Sequence, residues 1–295
     1  MEYAIKTQNL TKSYGKARGI IDVSLSIEAG DIFGFIGPNG AGKSTFIRTL
    51  LGLIRPTSGK ASVLGFKIPS QRREALKHIG YMPSTVSYYR GMRAADVFRM
   101  SARLRNKDCE KESWVLSDRL GLNPNRLVNE LSFGNQKKVA IVAAMQHNPD
   151  LIILDEPTSG LDPLVQRAFW DILDERSRRG VTIFLSSHVL SEVQHHCRHA
   201  AIIREGKIIL SDAVSNLSNT ARRITLRGVS ELPAALTSLS GVLKVYTHQN
   251  ESSFLYQGDM HDILPVLSSL PFYDLTVTEP SLEEIFLHVY GGENK

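Results

Sequence analysis

Apolar and polar residues alternate over Ala4 to Leu10 and again over Ile20 to Ile27, and an apolar run from Asp31 to Ile36 stops at a glycine-rich turn. Period-two alternation turns one face of a segment toward a core, so these stretches read as strands. From Lys43 the period lengthens: Phe46, Ile47, Leu50, Leu51 and Ile54 recur three and four apart, with Pro56 beyond them, which predicts a helix with one buried stripe. Between Ser84 and Asn148 the pattern is helical, over Ala94 to Leu104, Lys111 to Leu120 and Ser132 to Gln146. Strands at Leu151 to Leu154, Thr182 to Ser186 and Ala200 to Arg204 then alternate with helices after Pro163 and from Leu190 to Cys197. Such alternation predicts an α/β domain whose mainly parallel sheet is covered on both faces and interrupted by a helical insert at about 84–148.

The composition shifts near Ser211 to Thr220, which reads as a linker or short helix. The tail reads strand Arg222 to Gly228, helix Leu232 to Leu239, strand Val242 to Thr247, strand Ser252 to Tyr256, helix Met260 to Leu270 and strand Tyr273 to Thr278. This is the split βαβ, ferredoxin-like order, with one more helix over Ser281 to Tyr290. The expected domains are therefore 1–217 and a small α+β domain at 218–295. A chain of 295 residues exceeds the size at which one core usually keeps growing, in agreement with two domains.

Charge and cysteine usage mainly exclude. The 35 basic and 30 acidic side chains are spread along the chain and leave a mild +5, so no nucleic-acid partner is expected. Cys109 and Cys197 are the two cysteines and lack the spacing of a zinc or disulfide framework, which fits a reducing compartment. The first residues show no signal-peptide pattern, and runs such as IFGFIG and LIIL are far shorter than the ~20 residues of a membrane helix.

Two segments carry specific chemistry. Gly37-Pro-Asn-Gly-Ala-Gly-Lys-Ser-Thr45 matches G-x-x-x-x-G-K-[ST] and stands between an apolar strand and an amphipathic helix, where a phosphate loop belongs. Glycines let the backbone curl so that its N–H groups, including those of Asn39, Gly40, Ala41, Gly42 and Thr45, surround phosphate oxygens at the positive end of a helix. Lys43 is expected to reach the β and γ phosphates, and the Ser44 hydroxyl to coordinate Mg²⁺. The second segment, Leu151 to Pro157, is an apolar strand ending in two acids. Consecutive strand residues point to opposite sides, so Asp155 suits the magnesium shell and Glu156 the attacking water.

With these motifs in place, the chain resembles the nucleotide-binding subunit of ABC transporters, a P-loop NTPase fold. Leu131-Ser-Phe-Gly-Asn-Gln136 resembles the family's LSGGQ signature, Ser159-Gly-Leu-Asp162 its D-loop, and His188 its switch histidine; Tyr14 lies where the family places an aromatic against adenine. The likeness covers roughly residues 4–217. It implies ATP and Mg²⁺ as cofactors, Lys43, Glu156 and His188 as catalytic residues, and two such subunits, identical or closely homologous, packed head to tail. Ser132, Gly134 and Asn135 would then face the γ-phosphate held by the other subunit, with Asp162 bridging the two. It further implies a transmembrane permease as partner and a peripheral place at the cytoplasmic face of the cell membrane.

Three positions depart from the family pattern. Ser84 stands where a glutamine usually reaches magnesium after the GYMP strand, so a water would have to complete the contact. Phe133 replaces a signature glycine, and Asn135 a glutamine with one more methylene. LSFGNQKKV, Ser84 and the ending Pro280-Ser-Leu-Glu-Glu-Ile-Phe286 together look most like ATPases of bacterial drug, bacitracin-type peptide or sodium exporters, which implies export. The rival class, soluble ABC ATPases acting on nucleic acid or ribosomes, carries long coiled coils or two ATPase domains in one chain; neither pattern occurs in this sequence. A degenerate subunit paired with an active relative is the third reading, and Lys43, Glu156 and His188 weigh against it.

Other groupings have plainer readings. Arg176, Arg178 and Arg179 close a helix before Gly180, where cations complement the helix end; Arg99, Arg103 and Arg105 form either a partner interface or a solvated face. His195, His196 and His199 read as a solvated cluster, and Tyr246, Phe254, Tyr256, Phe272 and Tyr273 as core of the tail.

Overall fold

Strand alternation at the N-terminus builds a hairpin, β1 (Tyr3–Tyr14) against β2 (Ala17–Glu28), in the computed structural model, which describes residues 3–15, 17–219 and 221–291. The chain then runs through β3 (Ile32–Ile36), α1 (Lys43–Leu50), β4 (Ser58–Val63), β5 (Phe66–Ile68), α2 (Arg72–Lys77) and β6 (Ile79–Met82). The helical insert holds α3 (Ala94–Leu104), α4 (Glu110–Arg119) and α5 (Phe133–Met145). After it come β7 (Leu151–Asp155), α6 (Pro163–Arg178), β8 (Thr182–Ser187), α7 (Leu190–His196), β9 (His199–Arg204) and β10 (Lys207–Ala213).

These strands form two sheets rather than one. An antiparallel sheet has the order β2-β1-β4-β5, and a six-stranded sheet the order β10-β9-β3-β8-β7-β6. Pairing from β9 through β3, β8 and β7 to β6 is parallel. Every residue of β3, β7 and β8 is buried, as expected of parallel strands covered on both faces. One apolar cluster joins the two sheets through α1: Ile5, Val23 and Val63 belong to it with Phe35, Phe46 and Phe184. The Phe35 and Phe46 rings lie 4.9 Å apart, and Phe46 and Phe184 6.0 Å.

The chain divides into compact units at Ser211 and Asp212, earlier than the 217/218 boundary read from sequence. The second unit holds α8 (Val214–Asn219), β11 (Arg222–Arg227), α9 (Ala234–Thr237), β12 (Val242–His248), β13 (Glu251–Tyr256), α10 (Met260–Ser268), β14 (Asp274–Thr278) and α11 (Leu282–Gly291). Its sheet has the order β12-β13-β11-β14 with antiparallel neighbours, the split βαβ arrangement. Ile224, Leu226, Phe254, Tyr256, Ile263 and Leu267 make its core, whereas Tyr246 and Tyr273, read from sequence as core, are exposed.

Several surface readings are corrected. Arg176 and Arg178 do close the last turn of α6, but Arg176 is also buried and reaches Asn148 and Glu112, which ties α6 to α4. Arg105 donates to the Ser101 and Ile79 carbonyls and so belongs to the insert's packing. The three histidines go separate ways: His195 contacts the Ser191 carbonyl, His196 stacks on Trp170 at 3.9 Å, and His199 pairs with Asp31 at 2.8 Å.

Candidate active site

Parallel pairing fixes where the chemistry collects, because the loops that leave the carboxyl ends of adjacent strands share one edge of the sheet. Register pairs Ile36 with Ser187, Ser186 with Asp155, and Leu154 with Met82. Gly37 follows β3, His188 follows β8, Glu156 follows β7, and Ser84 lies two residues past β6. That edge therefore carries residues from four distant parts of the sequence.

The glycine loop turns into α1 at Gly42, whose φ of 110° belongs to the left-handed side and favours glycine. A Cβ there would also lie 2.9 Å from the Gly19 carbonyl oxygen, so the β1–β2 hairpin abuts the loop. Pro38, Asn39 and Gly40 are exposed, Gly37 and Ala41 are buried, and Ser44 and Thr45 are half-buried in the first turn of α1. Tyr14 stands exposed at the end of β1, with the Lys12 ammonium 5.1 Å from its ring centroid.

Lys43 folds back over its own loop. Its Nζ donates to the carbonyls of Gly37 at 2.6 Å and Pro38 at 3.2 Å, and it lies 3.3 Å from Glu156 Oε1. The other carboxylate oxygen, Oε2, lies 3.4 Å from His188 Nδ1. Thus the three residues read as catalytic meet around one carboxylate. Glu156 adopts φ of 50°, in the left-handed region, and its N–H donates to the Ser186 carbonyl at 3.1 Å. Beside it, Asp155 is buried; Ser186 Oγ donates to its Oδ1 at 2.5 Å, while Oδ2 has no hydrogen-bond partner among the described residues. A buried carboxylate oxygen without a donor is costly, and a hard cation satisfies it, so Asp155 fits the magnesium role chemically.

The signature turn packs beside the loop that follows β7. Ser132 is exposed and caps α5, accepting from the Asn135 N–H at 3.3 Å. Gly134 packs on the loop after β7, where a Cβ would lie 2.5 Å from the Gly160 carbonyl oxygen. Asp162 is exposed and caps α6 through the Val165 N–H at 3.0 Å, just before Pro163. Among the described residues, no hydrogen bond or ion pair joins Ser132, Gly134, Asn135 or Asp162 to Lys43, Glu156 or His188.

Sequence reasoning missed several residues of this region. Glu192 on α7 accepts from Thr158 Oγ1 at 2.9 Å and Ser187 Oγ at 3.3 Å; burial pushes its carboxyl up, opposed by those hydrogen bonds. Lys137 on α5 is buried and donates to the Glu156 carbonyl at 2.7 Å. Burial lowers its ammonium pKa, while Glu156, Asp155 and Glu192 oppose that shift. No spacing rule flags either residue, because each acts across the fold.

The bacitracin transport ATP-binding protein BcrA of Bacillus licheniformis is 31% identical over 308 residues, spanning 99% of this chain and 99% of its own length. The chain belongs to the ABC transporter ATP-binding family. The ABC transporter family pattern matches residues 20–159. The linearmycin resistance ATP-binding protein LnrL of Bacillus subtilis (strain 168) is 30% identical over 97% of this chain and 98% of its own. Among solved structures, an ATP-binding subunit of an ABC transporter superposes with TM-score 0.69 at 27% identity, covering 72% of this chain and 91% of its own. A dimeric ATP-binding cassette in a post-hydrolysis state with ADP and Pi shares the fold at TM-score 0.66 and 22% identity, over 71% and 98% of the two chains. As an ABC transporter ATPase, the chain binds and hydrolyses ATP in a system whose membrane-spanning part is a separate permease. No helix among its described residues is long and apolar enough to cross a membrane.

Proposed function

We propose that Glu156 is the general base of ATP hydrolysis, held between Lys43 and His188, and that the chain works at the cytoplasmic face of the membrane with an export permease. The observation that carries this reading is the single carboxylate whose oxygens lie 3.3 Å from Lys43 Nζ and 3.4 Å from His188 Nδ1. The loop from Gly37 to Thr45 binds the triphosphate through backbone N–H groups and the positive end of α1. Lys43 exchanges its contact with Glu156 for γ-phosphate oxygens, which frees the carboxylate to accept a proton from water. His188, exposed at the end of β8, donates to the same phosphate. Tyr14 offers a face for adenine. Asp155 and Ser44, with Ser84 acting through water, would hold Mg²⁺, which supplies neutralising charge for the β and γ phosphoryl oxygens.

A second copy or close homologue covers the nucleotide. Ser132 Oγ accepts from Asn135 N–H, which leaves its own O–H free to donate to a phosphate across the interface, beside the Gly134 and Asn135 backbone. Asp162, exposed at the start of α6, reaches the same interface. Export of a drug, peptide antibiotic, lipid or ion is the reading that fits the names of relatives such as BcrA, LnrL and the Nod factor export ATP-binding protein I of Sinorhizobium fredii, 32% identical over 100% of this chain. We further assign the first unit, read from sequence as 1–217 and ending in the structure at Ser211, to the ATPase domain, and the rest to a small α+β domain.

Substitution tests the assignment directly. Glu156→Gln should bind ATP as tightly as the parent yet lose turnover by about two orders of magnitude or more. A variant that hydrolyses at the parent's rate removes Glu156 as the base. Co-purification from membranes would identify the companion permease, and recovery with ribosomes or DNA instead would reject the transport reading for this chain.

A further inference from the structure

We propose that Lys137 is a positioning residue for hydrolysis: its buried ammonium grips the Glu156 carbonyl from behind and ties the aim of that carboxylate to the signature turn. The inference rests on Glu156 being the base.

A lysine that is 1% exposed is rare, since taking a charge out of water is costly unless it is paired. This one has a specific acceptor, the Glu156 carbonyl oxygen at 2.7 Å. The backbone it holds needs holding. Glu156 has φ of 50°, a strained conformation for a residue with a side chain, which persists only where its surroundings impose it. Ser186 fixes the N–H side of the residue and Lys137 the carbonyl side, so the left-handed turn that carries the carboxylate toward Lys43 and His188 is clamped at both ends.

Lys137 also faces the signature. Phe133 lies one helical turn earlier on α5, and its ring centroid is 5.4 Å from Lys137 Nζ, a cation–π contact. The same ring occupies the space beside Gly160, where a Cβ would meet Phe133 Cδ1 at 2.7 Å. One ammonium therefore touches both the base's backbone and the aromatic residue that replaces a signature glycine. A displacement of the signature turn, as when another subunit seats on it, moves Phe133 against Lys137 and so reaches the carbonyl of Glu156.

The test compares Lys137→Met, Glu156→Gln and the double variant of the full chain. Methionine fills much of the same volume without charge or donor. The expected kcat of Lys137→Met is about ten- to a hundredfold lower, the size of effect produced by small misplacement of a reacting group. ATP affinity should stay within about twofold and the melting temperature should hold or rise, because a buried charge has been removed. In the Glu156→Gln background the substitution should add nothing, since it acts through that residue. Parental kcat in Lys137→Met, a parallel loss of folding or ATP affinity, or an additive effect in the double variant each overturns the proposal. Parental turnover in Glu156→Gln alone would instead overturn the assignment of the base, which separates the two failures.

Discussion

Gly134 and Gly160 set how close the signature turn comes to the loop after Glu156. A Cβ on Gly134 would stand 2.5 Å from a backbone oxygen, which cannot swing aside as a side chain would. Gly134→Ala should therefore lower stability in urea by about 1–3 kcal/mol, the usual range for overpacking, and lower turnover with it. An unchanged urea midpoint would mean that the two loops have room to separate. The motif glycine reads easily from the sequence, but its reason does not: the contact joins residues 26 positions apart through a carbonyl that no pattern marks. Phe133 is the clearer case. The sequence marks it only as a departure from a signature glycine, whereas its ring lies beside Gly160 and 5.4 Å from Lys137 Nζ.

Elements with strong periodicity were legible, and those without it were not. Helices α3, α4 and α5 fall within a residue of their expected bounds. By contrast β4, β5 and α2 were not read at all. In β4 only Ala61 and Val63 are buried, and in α2 only Ala75, so neither carries enough pattern to stand out. The C-terminal end of α5 hid another feature, the buried His147 beyond it, whose Nε2 lies 3.2 Å from the Ile79 carbonyl of β6 while Nδ1 has no hydrogen-bond partner among the described residues. Burial, then the nearby Arg105 charge, push its pKa down to about 3. Above about pH 6.5 the folded and unfolded chains both carry this imidazole neutral, so its stabilising effect is complete there. As the pH falls toward 3 the unfolded chain binds a proton that the folded one refuses, and stability drops by up to ~1.4 kcal/mol per pH unit from this group. His147→Gln keeps an amide donor for Ile79 and should flatten that slope in urea denaturation across this pH range. Identical slopes in parent and variant would show that other groups set the acid limb.

At the scale of the whole molecule the two halves of the proposed reaction lie on one chain and touch through Lys137, not through the side chains that would hold phosphate. Lys43, Glu156 and His188 converge, while Ser132 and Asp162 stay exposed and occupied in capping α5 and α6. The sequence names both halves, since each is a local motif, but it holds no record of the link between them, which Lys137 makes across the fold. If the exposed half serves the nucleotide of another copy, association must precede chemistry. Under mass action the dimer fraction then falls in proportion to concentration once the chain is dilute relative to its dimer dissociation constant. Turnover per chain at saturating ATP should drop about tenfold for each tenfold dilution in that range, and level off at high concentration. Glu156→Gln, able to close over ATP but not to reopen through hydrolysis, should sediment as a dimer with ATP and as a monomer without it. Turnover per chain that stays constant down to nanomolar protein, with that variant monomeric in ATP, would require a single chain to complete its own site and would remove Ser132 and Asp162 from the reaction.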